Sequence, residues 1–273
     1  MKTNKKPKAK KSLGQNFLKS EMILRKIVEA GEIKRKDVIL EIGPGRGALT
    51  KQLLGSSDQV LAIEKDRELI EFLKEKFKKE IEDNPPSHKA TDGQRKLILI
   101  NEDILDFNLK YKLLAKSYKL IANIPYNITG AILKKFLTTE NQPESMILMV
   151  QHEVATRILA RNKKESILSI SVKAYGEPKM VAKVDKRYFS PAPKVNSAII
   201  SIKNISHKIF KENDINEEKF WEMVKAGFAH KRKKLSSNLK VLKYIGNFSV
   251  ETLGNKRAED LSLADWIELT KNF

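Results

Sequence analysis

The chain has 273 residues, 41% of them hydrophobic, enough to bury a substantial core. Lys and Arg number 53 against 34 Asp and Glu, a net charge of +19, which points to a polyanionic partner, either nucleic acid or an acidic membrane surface. Cysteine is absent, which excludes disulfides, thiol catalysis and thiolate metal sites; no run approaches the ~18 apolar residues of a membrane span, and the lysine-rich start lacks the apolar stretch of a secretory signal, so a cytoplasmic protein is expected.

The first 11 residues carry six lysines. They read as a basic arm that stays disordered until it meets a phosphate backbone, or as a plain solvated tail. Gly14-Gln15-Asn16-Phe17-Leu18 breaks the charge run, and residues 21–30 show helical spacing that stops at Gly31. Strand and helix then alternate. The apolar run 38–42 enters a glycine turn, 48–54 reads as a helix, and 60–63 is a strand ending in Glu64. An amphipathic helix is expected over 66–80, then a polar, turn-rich insertion over 83–96. Strands follow at 97–100 and 119–122, the second ending in Asn123. A helix over 129–138, a strand over 146–150, a helix over 153–160 and strands around 167–175 and 194–202 complete the pattern. Nearly continuous apolar strands separated by helices predict an α/β domain, a parallel sheet with helices on both faces. After residue 203 helical spacing takes over, as in Phe220, Val224 and Phe228, then Leu261, Trp266 and Ile267. The expected organisation is therefore an arm (1–11), a main domain (12–203) and a small helical domain (204–273) that carries the basic run Lys231-Arg232-Lys233-Lys234.

In such sheets ligands bind at the carboxyl ends of the strands. Gly43, Glu64, Asp103 and Asn123 each fall at or just past such an end, so one crevice would receive all four. Glu41-Ile42-Gly43-Pro44-Gly45-Arg46-Gly47 allows a tight turn and close approach to a ligand. It is not the dinucleotide G-x-G-x-x-G pattern, because its third glycine comes one residue early, and no phosphate-cradling G-x-x-x-x-G-K-[ST] run exists. Glu64 suits a ribose diol and Asp103 an adenine amino group. S-adenosylmethionine fits this set better than a dinucleotide or ATP. Glu41 serves equally as a group that positions the cationic methionine end or as a structural hydrogen-bonding group.

Asn123-Ile124-Pro125-Tyr126 combines an amide acceptor, a free carbonyl and an aromatic face. The Asn123 side-chain oxygen and the Pro125 carbonyl suit the two N–H bonds of an exocyclic amine, and Tyr126 suits stacking on the ring of an extruded base. Phe189, beside the two prolines of Phe189-Ser190-Pro191-Ala192-Pro193, either closes over the other face of that base or is a core phenylalanine; the sequence does not choose. The four histidines share no metal-ligand spacing, and no metal is expected.

These segments, with Glu64-Lys65-Asp66, Asp103-Ile104-Leu105, Asn127-Ile128 and Lys194-Val195-Asn196-Ser197, resemble the ribosomal RNA adenine N6-dimethyltransferases that modify small-subunit RNA, over nearly the whole chain. The resemblance implies a Rossmann-like class I S-adenosylmethionine-dependent methyltransferase fold with a helical C-terminal domain. It implies two methyl transfers to each of two adjacent adenosines near the 3′ end of 16S rRNA, late in 30S assembly. A monomer is expected, and no membrane partner, since no basic amphipathic helix stands out. By position the resemblance implies cofactor contacts at Asn16, Leu18, Gly43, Glu64, Asp103 and Asn123, and base contacts at Asn123, Pro125, Tyr126 and Phe189. Departures are Glu102, where the family usually has glycine, and Lys231, where arginine is common. The rival readings are the related 23S rRNA methyltransferases of macrolide resistance and a non-catalytic assembly factor on the same fold.

Overall fold

A computed structural model describes residues 6–81, 96–108, 117–242 and 254–272. Residues 1–5 of the expected arm and 83–95 of the expected insertion lie outside them. Contacts divide the chain into two units, residues 1–152 with 179–203 and residues 153–178 with 204–273. The segment 153–178 thus groups with the later helices rather than with the main domain in which the sequence pattern placed it.

The first unit holds β1 (Phe17–Leu18), α1 (Glu21–Ala30), β2 (Val38–Ile42), α2 (Ala48–Ser56), β3 (Gln59–Glu64) and α3 (Arg67–Lys76). It continues with β4 (Lys96–Asn101), β5 (Lys119–Asn123), α4 (Thr129–Leu137) and β6 (Ser145–Gln151). Seven strands form one sheet in the order β4-β3-β2-β5-β6-β9-β7, with β7 at Glu177–Val184 and β9 at Ser197–Lys203. Strands β2 to β6 are parallel; the apolar runs of β2, β3, β5 and β6 are buried on both faces, as inner parallel strands require, while the edge strand β4 buries Leu97 and leaves Ile98, Leu99 and Ile100 half-buried. The helices cover them with amphipathic stripes: Ile23, Leu24 and Ile27 from α1, and Leu69, Ile70 and Leu73 from α3. Each such side chain contributes about 1.5–3 kcal/mol on burial.

Two expectations are corrected. The sheet is mixed, because β9 runs antiparallel to β6 with Leu148 opposite Ile200. Residues 167–175 are not a strand: Ile167–Lys173 is a helix, α6, following α5 (His152–Ile158). Ser166 and Ser169 form a reciprocal capping box there, satisfying the first orphan N–H groups of a helix. The β-branched run Ile-Leu-Ser-Ile-Ser-Val reads as strand only until that cap is seen.

The second unit also contains α7 (Lys208–Glu212), α8 (Glu217–Gly227), α9 (Leu235–Leu239) and α10 (Leu263–Lys271). Gly227 lets α10 approach α8 closely, since a Cβ there would stand 2.3 Å from the Trp266 ring. No helix among the described residues is long and apolar enough to cross a membrane.

Candidate active site

Strand order reverses between β2 and β5, with β3 and β4 on one side and β6 on the other. At such a point the two flanking loops part and leave a crevice beyond the strands' carboxyl ends. A cavity of about 500 Å³ lies there, within the usual range for small-molecule sites. Asn16, Leu18, Gly43, Glu64, Asp103, Asn123, Pro125 and Tyr126 all line it. Register explains the convergence: Ile42 pairs with Ile63, Glu64 with Asn101, and Leu40 with Leu120, so the strand ends fall level.

The glycine turn takes its shape from left-handed backbone. Gly43, Gly45 and Gly47 have φ of +64°, +57° and +71°, a region that side-chain-bearing residues enter at a cost. Space reinforces the choice at two of them. A Cβ on Gly45 would sit 2.9 Å from the Phe17 ring, and one on Gly47 2.5 Å from Phe77. At Gly43 a Cβ would meet nothing within 4 Å, which leaves the backbone open to a ligand.

Glu64 ties this turn to β3. Its Oε2 accepts from Gly45 N at 3.1 Å and its Oε1 from Asp66 N at 2.9 Å. Each oxygen keeps a lone pair, which suits a diol. Burial pushes the Glu64 pKa upward, against those two bonds. Asp103 accepts from Leu105 N at 3.0 Å through Oδ1 and pairs with Lys65 at 2.6 Å through Oδ2. The Lys65 ammonium holds its pKa below the usual carboxylate range. Glu41 is 1% exposed, and its Oε2 has no hydrogen-bond partner. Burial, opposed by the neighbouring Thr50 hydroxyl and reinforced by repulsion from Glu64, pushes its pKa up to about 8. An orphaned acceptor beside the glycine turn calls for a donor, preferably a cationic one.

Asn123 Nδ2 donates to the Asn16 carbonyl at 3.1 Å. The reverse assignment would set two oxygens against each other, so this contact fixes the amide and turns Oδ1 away from Asn16. The Pro125 carbonyl accepts a long 3.3 Å bond from Ile128 N. The Tyr126 hydroxyl and Ser197 Oγ stand 2.5 Å apart, anchoring the ring at its far end. Burial raises the Tyr126 pKa, opposed by that bond, so the phenol remains neutral.

Phe189 is placed elsewhere. It is 2% exposed, packs in the core with Leu18 and Val184, and does not line the cavity. Its short strand β8 (Phe189–Ser190) pairs with β1, Leu18 facing Phe189. Of the two readings left open by the sequence, the core phenylalanine is the one its position supports.

The structure also adds residues that the sequence did not single out. Arg46 and Lys76 line the cavity; the Arg46 guanidinium lies 4.4 Å over Phe17, and Lys76 Nζ donates to the carbonyls of Arg46 at 2.6 Å and Gly47 at 3.2 Å. Lys6 reaches the same wall from the expected basic arm. Arg46 lies inside the glycine motif and could have been noticed. Lys6 was legible only as one lysine of the basic arm, and Lys76 carries no local signal. Among the described residues no group of three or more His, Asp or Glu is placed to hold a metal ion.

The site suits a ligand with a cationic end at Glu41 and an adenosine end toward Glu64 and Asp103, beside an amide oxygen and an aromatic face. The family described as Ribosomal RNA adenine dimethylase matches residues 6–273. The chain is 38% identical over 273 residues to the Ribosomal RNA small subunit methyltransferase A of Dehalococcoides mccartyi, covering 96% of this chain and 87% of that protein. Among solved structures it is similar to a dimethyladenosine transferase from Plasmodium falciparum, with a TM-score of 0.75 and 25% identity over 93% of this chain and 95% of that one. It shares its fold with the 23S rRNA methyltransferase ErmE, at a TM-score of 0.71 and 24% identity over 94% and 99% of the two chains.

Proposed function

Because the chain belongs to the ribosomal RNA adenine dimethylase family, we propose that it methylates the N6 amines of two adjacent adenosines near the 3′ end of 16S rRNA in an assembling 30S subunit, giving N6,N6-dimethyladenosine. The observation that carries this reading is the fixed Asn123 amide beside the Pro125 carbonyl and the anchored Tyr126 ring. S-adenosylmethionine is the cofactor the cavity fits: when bound, it supplies an electrophilic methyl group on a positively charged sulfur. Glu41 would take its ammonium, Glu64 its ribose diol and Asp103 its adenine amine, with Gly43 giving the chain room to approach. Asn16 and Leu18 would add to the wall of the same cavity.

An adenine N6 lone pair is delocalised into the ring and is a weak nucleophile. Asn123 Oδ1 and the Pro125 carbonyl, accepting the two N–H bonds, favour a pyramidal nitrogen with its lone pair aimed rather than conjugated. These acceptors are held before the substrate arrives, so little reorganisation is required at the moment of reaction. Tyr126 would stack on the extruded ring. The methyl group would come from the cofactor's sulfonium, and Asn123 Oδ1 and the Pro125 carbonyl would hold the amine through its N–H bonds until its extra proton is lost to water after transfer, so this chain need not supply a strong base.

The test is transfer of labelled methyl from S-adenosylmethionine to undermethylated 30S and, separately, 50S subunits, with Asn123→Ala as control. The expected result is dimethyladenosine on 30S RNA, lost in the variant. Label on 50S alone would move the chain to the 23S-modifying class, and tight 30S binding without transfer would make it an assembly factor.

A further inference from the structure

Asp66 stands outside the cavity wall, yet more side chains converge on it than on any ligand-facing group described above. It is 4% exposed. Its Oδ1 caps α3 by accepting from Glu68 N at 3.0 Å and pairs with Lys10 Nζ at 2.7 Å. Its Oδ2 accepts from Gln15 Nε2 at 2.9 Å, and Gln15 Oε1 in turn accepts from Lys10 N at 2.8 Å. Lys10 also reaches Glu68 at 3.3 Å. A few residues away, Arg46 Nε and Nη2 both donate to the Pro7 carbonyl, at 3.1 and 2.6 Å. The described part of the basic arm is therefore docked on its own domain. Its lysine at position 10 is committed to a carboxylate, not free for phosphate.

The docked segment continues into the catalytic loop. Residues 12–18 line the cavity. A Cβ on Gly14 would stand 3.2 Å from Asn127 Oδ1 and 3.7 Å from Pro125. Asn16 supplies the carbonyl that orients Asn123. A single carboxylate thus fixes a strap at one end, and the strap aims the amide oxygen at its other end.

We infer that Asp66 is a positioning residue for methyl transfer: through Lys10 and Gln15 it holds residues 6–18 across the cofactor cavity, and through the Asn16 carbonyl it sets the side chain of Asn123. This rests on the reading that Asn123 holds the target amine. It adds a coupling, because one strap both walls the cofactor and orders the acceptor for the base. Charge-assisted bonds to a buried carboxylate are strong enough to order a surface segment, and a small misplacement of an acceptor costs a large factor in rate.

Three variants separate the latch from simple folding. Lys10→Met removes the strap's cation, and with it the ion pair to the exposed Glu68, but keeps the cap bond from Asp66 Oδ1 to Glu68 N that starts α3. Asp66→Asn keeps a good helix cap while removing the charge. Lys10→Arg restores the cation. The first readout is hydrogen exchange on the cofactor-free protein and with S-adenosylhomocysteine. Residues 13–18 should exchange about tenfold faster in Lys10→Met and Asp66→Asn, with α3 protection unchanged. The second is single-turnover methyl transfer at saturating cofactor, which should slow by about tenfold or more in both variants and recover in Lys10→Arg. Unchanged exchange would overturn the latch. Faster exchange with undiminished transfer would overturn its coupling to Asn123. If Asn123→Ala itself transfers methyl normally, the site reading fails and the coupling with it, while the exchange experiment still decides whether the latch exists.

Discussion

Asn123 and Glu41 are the two residues whose chemistry the surroundings fix most tightly, and each makes a different prediction. If Asn123 holds the target amine as proposed, it works only as an amide. Asn123→Asp would set a carboxylate oxygen 3.1 Å from the Asn16 carbonyl oxygen, where like charges repel, so the acceptor would swing away or the strap would lift. Single-turnover transfer is expected to fall by about 10²-fold, with cofactor affinity reduced as well, whereas Tyr126→Phe loses only the Ser197 anchor and should retain most of the rate. Equal rates for Asn123→Asp and the parent would remove Asn123 from the mechanism. Glu41, with its pKa near 8, is mostly protonated at neutral pH in the cofactor-free protein. An ammonium brought against its orphaned Oε2 favours the carboxylate, so binding expels close to one proton. Affinity should therefore rise as pH climbs toward about 8 and fall above it, where the ligand's own α-ammonium (ordinary pKa about 7.7–8.0) loses its proton. Titration calorimetry in two buffers of different ionisation heat measures the released proton directly, and Glu41→Gln should abolish the difference. The same raised pKa has a stability consequence. The folded state favours the protonated acid, so its advantage is complete below the usual carboxylate range and is lost as pH rises to about 8. Thermal unfolding of Glu41→Gln should lack that decline.

At the scale of elements, the pairing of β1 with β8 is only two residues long, yet it joins the strap to the core through Leu18 and Phe189. Phe189→Ala should cost about 3–5 kcal/mol of stability, as large-to-small changes of a buried ring do, seen as a lowered denaturant midpoint. Phe189→Leu keeps most of the volume and should recover both stability and transfer. Stability restored without transfer would instead mean that the ring itself meets the base. Here the limits of the sequence have physical reasons. The placement of the glycine turn and of Asn123-Ile124-Pro125-Tyr126 on one cavity was legible because each is local: a strand ends, a special backbone begins, and the candidate atoms are neighbours in the chain. The parallel core of the sheet was legible because strands buried on both faces are continuously apolar. The reversal of β9 was not, because strand direction leaves no periodic trace. The helix at Ile167–Lys173 was misread because its β-branched residues outweighed a two-serine cap. The docking of Lys10 on Asp66 spans 56 positions, and no spacing rule joins them. Phe189 was undecided because ring-in-core and ring-on-ligand share one sequence.

At the scale of the whole molecule, the charge of +19 remains to be assigned, and the interior accounts for little of it. Lys10 and Lys65 are neutralised by Asp66 and Asp103, and the nearly buried Lys119 by Asp37 at 2.7 Å. In the second unit, Lys231, Arg232, Lys233 and Lys234 are all exposed on the turn between α8 and α9. That turn is built rather than loose. Asn238 Nδ2 donates to the Gly227 carbonyl at 2.6 Å and to the His230 carbonyl at 3.1 Å, closing the backbone around the start of the basic run. A rigid cationic turn loses less entropy on meeting phosphates than a free tail would. Its contribution should appear in the salt dependence of binding, since each neutralised phosphate releases condensed counterions and steepens the fall of log K with log salt by about 0.7–0.9. Replacing Lys231, Arg232 and Lys233 with glutamine should flatten that slope by roughly two to three for 30S subunits, with cofactor affinity unchanged. Asn238→Ala, which keeps every charge but frees the turn, should weaken binding while leaving the slope nearly intact. If the triple variant keeps the parent slope, the cations of this turn do not face RNA, and the excess charge must act from another part of the surface.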